Sequence, residues 1–258
     1  MNKRILSGVR LLFLALLLVA SSAPLAQTQA KQEPLYGYNS DWTFPRAQWD
    51  DFNKAVEATR PIHERLVANG TLLSWGASAT ILHTPDGLTH VEWLQADSLE
   101  NILKALDDLR LDDLSKTGPP FTSATKHADS FYRTLAYNHR TASASRGFLA
   151  ASVWSVRAGR DQEFEGLFKK YYQPWLDQMV AEGSALRYTF NTPIFHPTTL
   201  RVYSLSVVLR DGSSFDKFQA NVRTMLEQNR ALHSAIGAVT VEEDQHDGLA
   251  RILAYQHK

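Results

Sequence analysis

Two short stretches of this chain carry side chains whose types and spacing suit chemistry. Arg133-Thr134-Leu135-Ala136-Tyr137-Asn138-His139 returns near the C-terminus as Arg251-Ile252-Leu253-Ala254-Tyr255-Gln256-His257. Read as strands, both place Arg, Leu, Tyr and His on one face, because successive side chains of a strand alternate between faces. Those four positions are identical between the copies, whereas the opposite face shares only Ala136 with Ala254. Arg133 and Arg251 could grip a carboxylate or phenolate through bidentate guanidinium contacts, with Tyr137 and Tyr255 beside them. His139 and His257 could then serve as general bases or ligate haem iron. The alternative is architectural: the tyrosines pack across an interface between two halves, and the arginines pair with acidic residues at its rim.

Weaker candidates follow. His83 and His196 form a second matched pair, each 22 residues after a proline, Pro61 and Pro174. They suit metal or acid/base work, or simply the capping of backbone groups in a turn. His90 and Glu92 share one strand face and have no counterpart in the second copy, as a single active site or an exposed edge-strand pair would require. His127 and His246 read as solvated loop residues. His63-Glu64 opens like a zinc-protease helix, but position 67 is Val, so that motif fails. Asn69-Gly70-Thr71 fits the glycosylation pattern at a place where a helix should stop. No Gly-rich phosphate loop, Gly-x-Ser-x-Gly elbow or calcium-loop spacing of carboxylates is present.

The elements that must position these residues also come twice. Residues 31–140 read as a first module and 148–258 as a second, joined by a Ser/Ala-rich linker at 141–147. Each begins with a strand bearing a tryptophan, Trp42 or Trp154, more often core than ligand platform. Each continues with an amphipathic helix ended by Gly70 or Gly183. Both helices contain a proline nine residues before that glycine, which should kink them. Two strands follow, then a second helix opening at Asp97-Ser98 or Ser213-Ser214, where Ser213 and Asp216 fit a capping box and Asp161 fits the cap of the earlier helix. Irregular segments, Gly118-Pro119-Pro120 and Gly237 to Asp247, precede the closing strands. The order is βαββαβ, the split βαβ plan.

The N-terminus reads as a signal peptide over residues 1–30: basic Lys3, Arg4 and Arg10, an apolar run from Leu11 to Ala20, then small residues. Export is expected, to the periplasm or beyond, with no stable membrane anchor once the signal is removed. There is no cysteine, so packing alone must hold the fold. Loss of those three basic residues changes a balance of 27 basic and 27 acidic side chains to 24 and 27, about −3, which is no footprint for nucleic acid.

A sheet covered by helices on one face leaves the other bare, and two such sheets in one chain can bury their bare faces against each other. This α+β organisation resembles the dimeric α/β-barrel superfamily, here as two ferredoxin-like modules in tandem forming one pseudo-dimeric barrel. The resemblance covers about residues 35–258 and rests on element order, helix stripes and the repeat. It implies a fold shared by monooxygenases, chlorite dismutase, dye-decolourising peroxidases and ligand-binding proteins, and it carries no catalytic residue over. The expected function is an exported small-molecule-binding or accessory protein with a pocket between the two sheets. The alternatives are a monooxygenase-like or haem-dependent enzyme and a cell-envelope interaction protein. The expected partner is a small organic molecule, and the tandem could dimerise further.

Overall fold

The computed structural model describes residues 34–82, 87–112, 121–195 and 201–258. The signal-peptide segment, Gly118-Pro119-Pro120, His83 and His196 lie outside the described residues. The first half runs β1 (Leu35–Thr43), α1 (Trp49–Ala68), β2 (Ser74–Thr80), β3 (His90–Ala96), α2 (Leu99–Asp112) and β4 (Lys126–His139). After a short β5 (Ala142–Ala144), the second runs β6 (Phe148–Val156), α3 (Asp161–Leu167), α4 (Gln173–Ala181), β7 (Ala185–Pro193), β8 (Arg201–Leu209), α5 (Gly212–Gln228), α6 (Arg230–Val239) and β9 (Thr240–His257).

Within each half the strands pair antiparallel in the order β2-β3-β1-β4 and β7-β8-β6-β9. The halves then join twice. β4 pairs with β7, and β2 pairs with β9, closing an eight-stranded barrel with no free edge. β5 lies in the segment read as linker and continues the β6 side of the barrel along the last residues of β9. Side chains on the outer face of the strands pack under the helices in two clusters. One centres on Phe52, Trp75 and Ile102 and the other on Phe168, Phe190 and Tyr203. A smaller third cluster, containing Trp93, Leu186, Val208, Ile252 and Tyr255, fills part of the barrel interior.

Several local expectations change. α1 stays one helix across Pro61, whereas the equivalent helix of the second half passes through a π turn at Phe168–Tyr172. That turn shifts the hydrogen-bond register, so Pro174 falls in the first turn of α4, where a missing N–H costs little. Asp161 is the first helical residue of α3 rather than its cap. α5 is capped by Asp211, not by a Ser213/Asp216 box: its carboxylate accepts from the Ser214 N–H at 2.8 Å and from the hydroxyls of Ser213 and Ser214. Those donors hold the Asp211 carboxyl well below the usual carboxylate range. The stretch read as irregular before the last strand is instead the end of α6 and the start of β9. Thr240 and Val241 pair with Val156 and Ser155, and the charged run Glu242-Glu243-Asp244 stays exposed on the same strand.

Candidate functional site

The shared Arg-Leu-Tyr-His face does not survive in three dimensions. β4 holds an extra residue at Leu135, between the pairs Thr134 with Asn191 and Ala136 with Phe190. β9 holds one at Leu253, between Ala254 with Ala77 and Ile252 with Ser78. Each β-bulge shifts the alternation by one residue. Tyr137, His139, Tyr255 and His257 therefore turn into the barrel, while Leu135, Ala136, Leu253 and Ala254 pack under the helices. Arg133 and Arg251 lie on the far side of the bulges and point outward. Arg133 is exposed at the register of Tyr36, and Arg251 lies over the Phe148 ring rather than against a carboxylate.

Inside, the seam is tight. The imidazoles of His139 and His257 stack with ring centroids 3.7 Å apart, bringing the two copies of the repeat face to face. His257 is buried, with Nδ1 at 2.9 Å from the Lys258 carbonyl and Nε2 lacking a protein partner. Burial pushes the His257 pKa down to about 3, and burial with the nearby Arg187 charge lowers that of His139. Tyr255 is 1% exposed, with no protein partner for its hydroxyl, and burial pushes its pKa up to about 12.

The sequence reading passed over Arg187, which the Ala185–Arg187 irregularity of β7 places inside the barrel opposite His139. Its Nη1 donates to Ser74 Oγ at 3.0 Å and to Gln95 Oε1 at 3.2 Å, and its guanidinium lies between the rings of Trp93 and Tyr255. A signal was available: Arg187 occupies the place that Ser74 holds in the first copy. The cavity left in this seam measures about 50 Å³. That is room for water or a small ion, not for the organic ligand expected between the sheets. Nor does this pair fit haem as two axial ligands, because imidazoles stacked with centroids 3.7 Å apart leave no space for a porphyrin plane between them.

The other candidates are placed as follows. His90 and Glu92 share a face, but it is the outer one, since Val91 and Trp93 take the inner. β3 is an interior strand of the closed barrel, so the edge-strand reading also falls. His90 is completely buried among the rings of Phe44, Trp49 and Phe52, and burial lowers its pKa to about 4. It is a core histidine. His63 is another, stacked on Trp75 at 4.2 Å. His127 and His246 sit in strands rather than loops, and His127 stacks on Trp42 at 3.6 Å with Asp129 Oδ1 3.0 Å from its Nε2. Among the described residues no group of three His, Asp or Glu gathers as a metal site.

A ligand-sized space lies elsewhere, between the outer face of the second half's sheet and its helices. It measures about 370 Å³. Trp154, Tyr172, Trp175, Phe215 and Phe218 wall it, and Ser152 and Asp247, paired across β6 and β9, line its sheet side. His233 and Gly237 of α6 border it, and Gly237 leaves it open: a Cβ added there would meet no atom within 4 Å. Burial, with the Asp247 charge adding to it, pushes the Tyr172 pKa up to about 12. In the first half the corresponding region around Trp42 is packed by Phe44, Phe52, Phe121 and His90. In the sequence Phe215, Phe218 and Val222 recur at three- and four-residue steps as an apolar helix stripe, but a stripe reports burial and cannot show whether the facing layer closes on it.

No protein-family model matches the sequence, and no curated protein matches it. Solved structures do resemble the fold. A Fusobacterium nucleatum protein named provisionally as a monooxygenase aligns with a TM-score of 0.65 at 11% identity, over 89% of this chain and 96% of its own. A Lactobacillus acidophilus protein similarly named gives 0.62 at 12% identity, over 88% and 97%. An anthrone oxidase-like protein gives 0.53 at 12% identity, over 88% and 94%. With the strand order and the two inter-half pairings, this likeness identifies the fold: the chain folds as a dimeric α/β barrel of two ferredoxin-like halves, both supplied by one polypeptide.

Proposed function

We propose that this is an exported binding or accessory protein that takes a small, partly apolar organic molecule into the space under the helices of its second half. The observation that carries the reading is the cavity of about 370 Å³ with aromatic walls and a few polar groups on its sheet side, Ser152 and Asp247 paired across β6 and β9 with Thr240, Glu242 and Gln245 further along β9. Size and lining match those of small-molecule sites, which are mostly apolar with a few placed polar groups. The aromatic walls supply contact area, and the Asp247 carboxylate favours a ligand that offers a hydroxyl, amine or acidic proton.

The test is native mass spectrometry of the folded protein together with a fluorescence titration using 1-anilinonaphthalene-8-sulfonate. A saturable site quenched in parallel with Trp154 and Trp175 supports the reading. Absence of both a copurified molecule and saturable probe binding overturns it. A second reading, oxygenation of the bound molecule, is supported by the names of two structural neighbours and by Asp247 and His233 as proton acceptors on the cavity wall. Oxygen consumption with phenolic substrates, abolished in Asp247→Asn, separates catalysis from binding.

A further inference from the structure

We propose that the barrel interior holds a small monovalent anion, of halide to nitrate size, on the guanidinium of Arg187. Arg187 is 5% exposed and makes no ion pair among the described residues. Nη1 has its two neutral partners, Ser74 and Gln95, but Nε is buried with no protein acceptor. An arginine keeps its charge in a protein, and a buried charge without a counter-charge is costly.

The groups facing it do not neutralise it. His257 is held neutral by burial, the His139 pKa is lowered by partial burial and by the Arg187 charge itself, Tyr255 keeps its proton, and Trp93 offers only a ring face. The inward-facing carboxylate of Asp41, at the register of Ala128 and Val91 on β1, acts on Tyr132 of the cavity wall rather than on Arg187.

Beside the guanidinium lies a cavity of about 50 Å³, lined by Asn39, Thr134, Thr189, Asn191, Ser204 and Ser206. Thr134 donates to Asn191 Oδ1 and Asn191 Nδ2 to Thr189 Oγ1, which leaves the hydroxyls of Thr189, Ser204 and Ser206 and the Asn39 carboxamide as donors for an anion, and the volume excludes anything much larger than a few atoms. The site lies on the seam where the two halves meet, and it breaks their symmetry. Ser74 and Arg187 occupy equivalent positions and touch each other, so a second arginine there would oppose two like charges at contact distance. An anion here ties β2 and β3 of the first half to β7 of the second.

The experiment is thermal unfolding of the full folded chain in sodium gluconate exchanged stepwise for sodium chloride at constant ionic strength. It is paired with anomalous diffraction from crystals soaked in sodium bromide. Each tenfold rise in chloride above its dissociation constant should raise the midpoint by about 3–6 °C, and a bromide peak should lie beside Arg187. Arg187→Met should abolish the chloride-specific rise. If that variant does not fold, the wild-type titration and the bromide peak decide the matter. Identical midpoints in chloride and gluconate, with only water beside Arg187, overturn the proposal. That outcome would leave the helix-side cavity untouched, since its probe reads a different face of the sheet.

Discussion

Gly237→Leu tests the helix-side cavity most directly. Gly237 lies two residues from the end of α6 on the border of the cavity, and a Cβ built there meets no heavy atom within 4 Å, so a larger side chain fits without a clash and is expected to lean over the cavity. Glycine in a helix is about 0.8–1 kcal/mol less favourable than alanine, and leucine is close to alanine. The substitution should therefore gain about 0.5–1 kcal/mol from propensity, with more from the apolar area it covers against Trp154 and Trp175. For a domain of this size that is a rise of about 1–4 °C in midpoint. Meanwhile the leucine occupies the space a ligand needs, and probe affinity should fall at least tenfold. Calorimetry and the same fluorescence titration read both effects on one sample. Unchanged affinity in a stabilised variant would refute the cavity as the binding site, and a lowered midpoint would refute the open space beside Gly237.

Three further outcomes follow from the seam and the first half's core. Gly76→Ala would drive a Cβ into the Trp93 ring, which is buried against Arg187, so it should cost about 1–3 kcal/mol, seen in urea unfolding. Tyr255→Phe removes a buried hydroxyl that has no protein partner and should leave stability equal or raise it by about 1 kcal/mol; a large loss of stability would reveal a bond to ordered water there. His257 and His90, with pKa values near 3 and 4, are neutral in the fold and bind protons only when unfolded between those values and the usual 6.5. Stability should thus be flat above about pH 6.5 and fall towards pH 4 by up to about 1.4 kcal/mol per pH unit for each imidazole. His257→Gln should flatten that slope in denaturant titrations at pH 7.5 and 5.

The repeat, the helix stripes and the strand patterns determined the barrel from the sequence alone. Hydrophobic periodicity and element order are local properties, and a duplicated βαββαβ chain has few other ways to bury two bare sheet faces. The same pattern located the seam, since His139 and His257 do meet. What it could not determine was which way each side chain points. One inserted residue, Leu135 and again Leu253, turns two arginines outward and two tyrosines inward, and strand alternation carries no mark of a bulge. Arg187 became visible only when β7 was set opposite β4 and β2 was set across the seam. The cavity beside Trp154 depends on how far α5 and α6 stand from the sheet, a distance fixed by packing between elements remote in sequence. Local chemistry chose the elements; closure of the barrel chose their neighbours, and with them the sites.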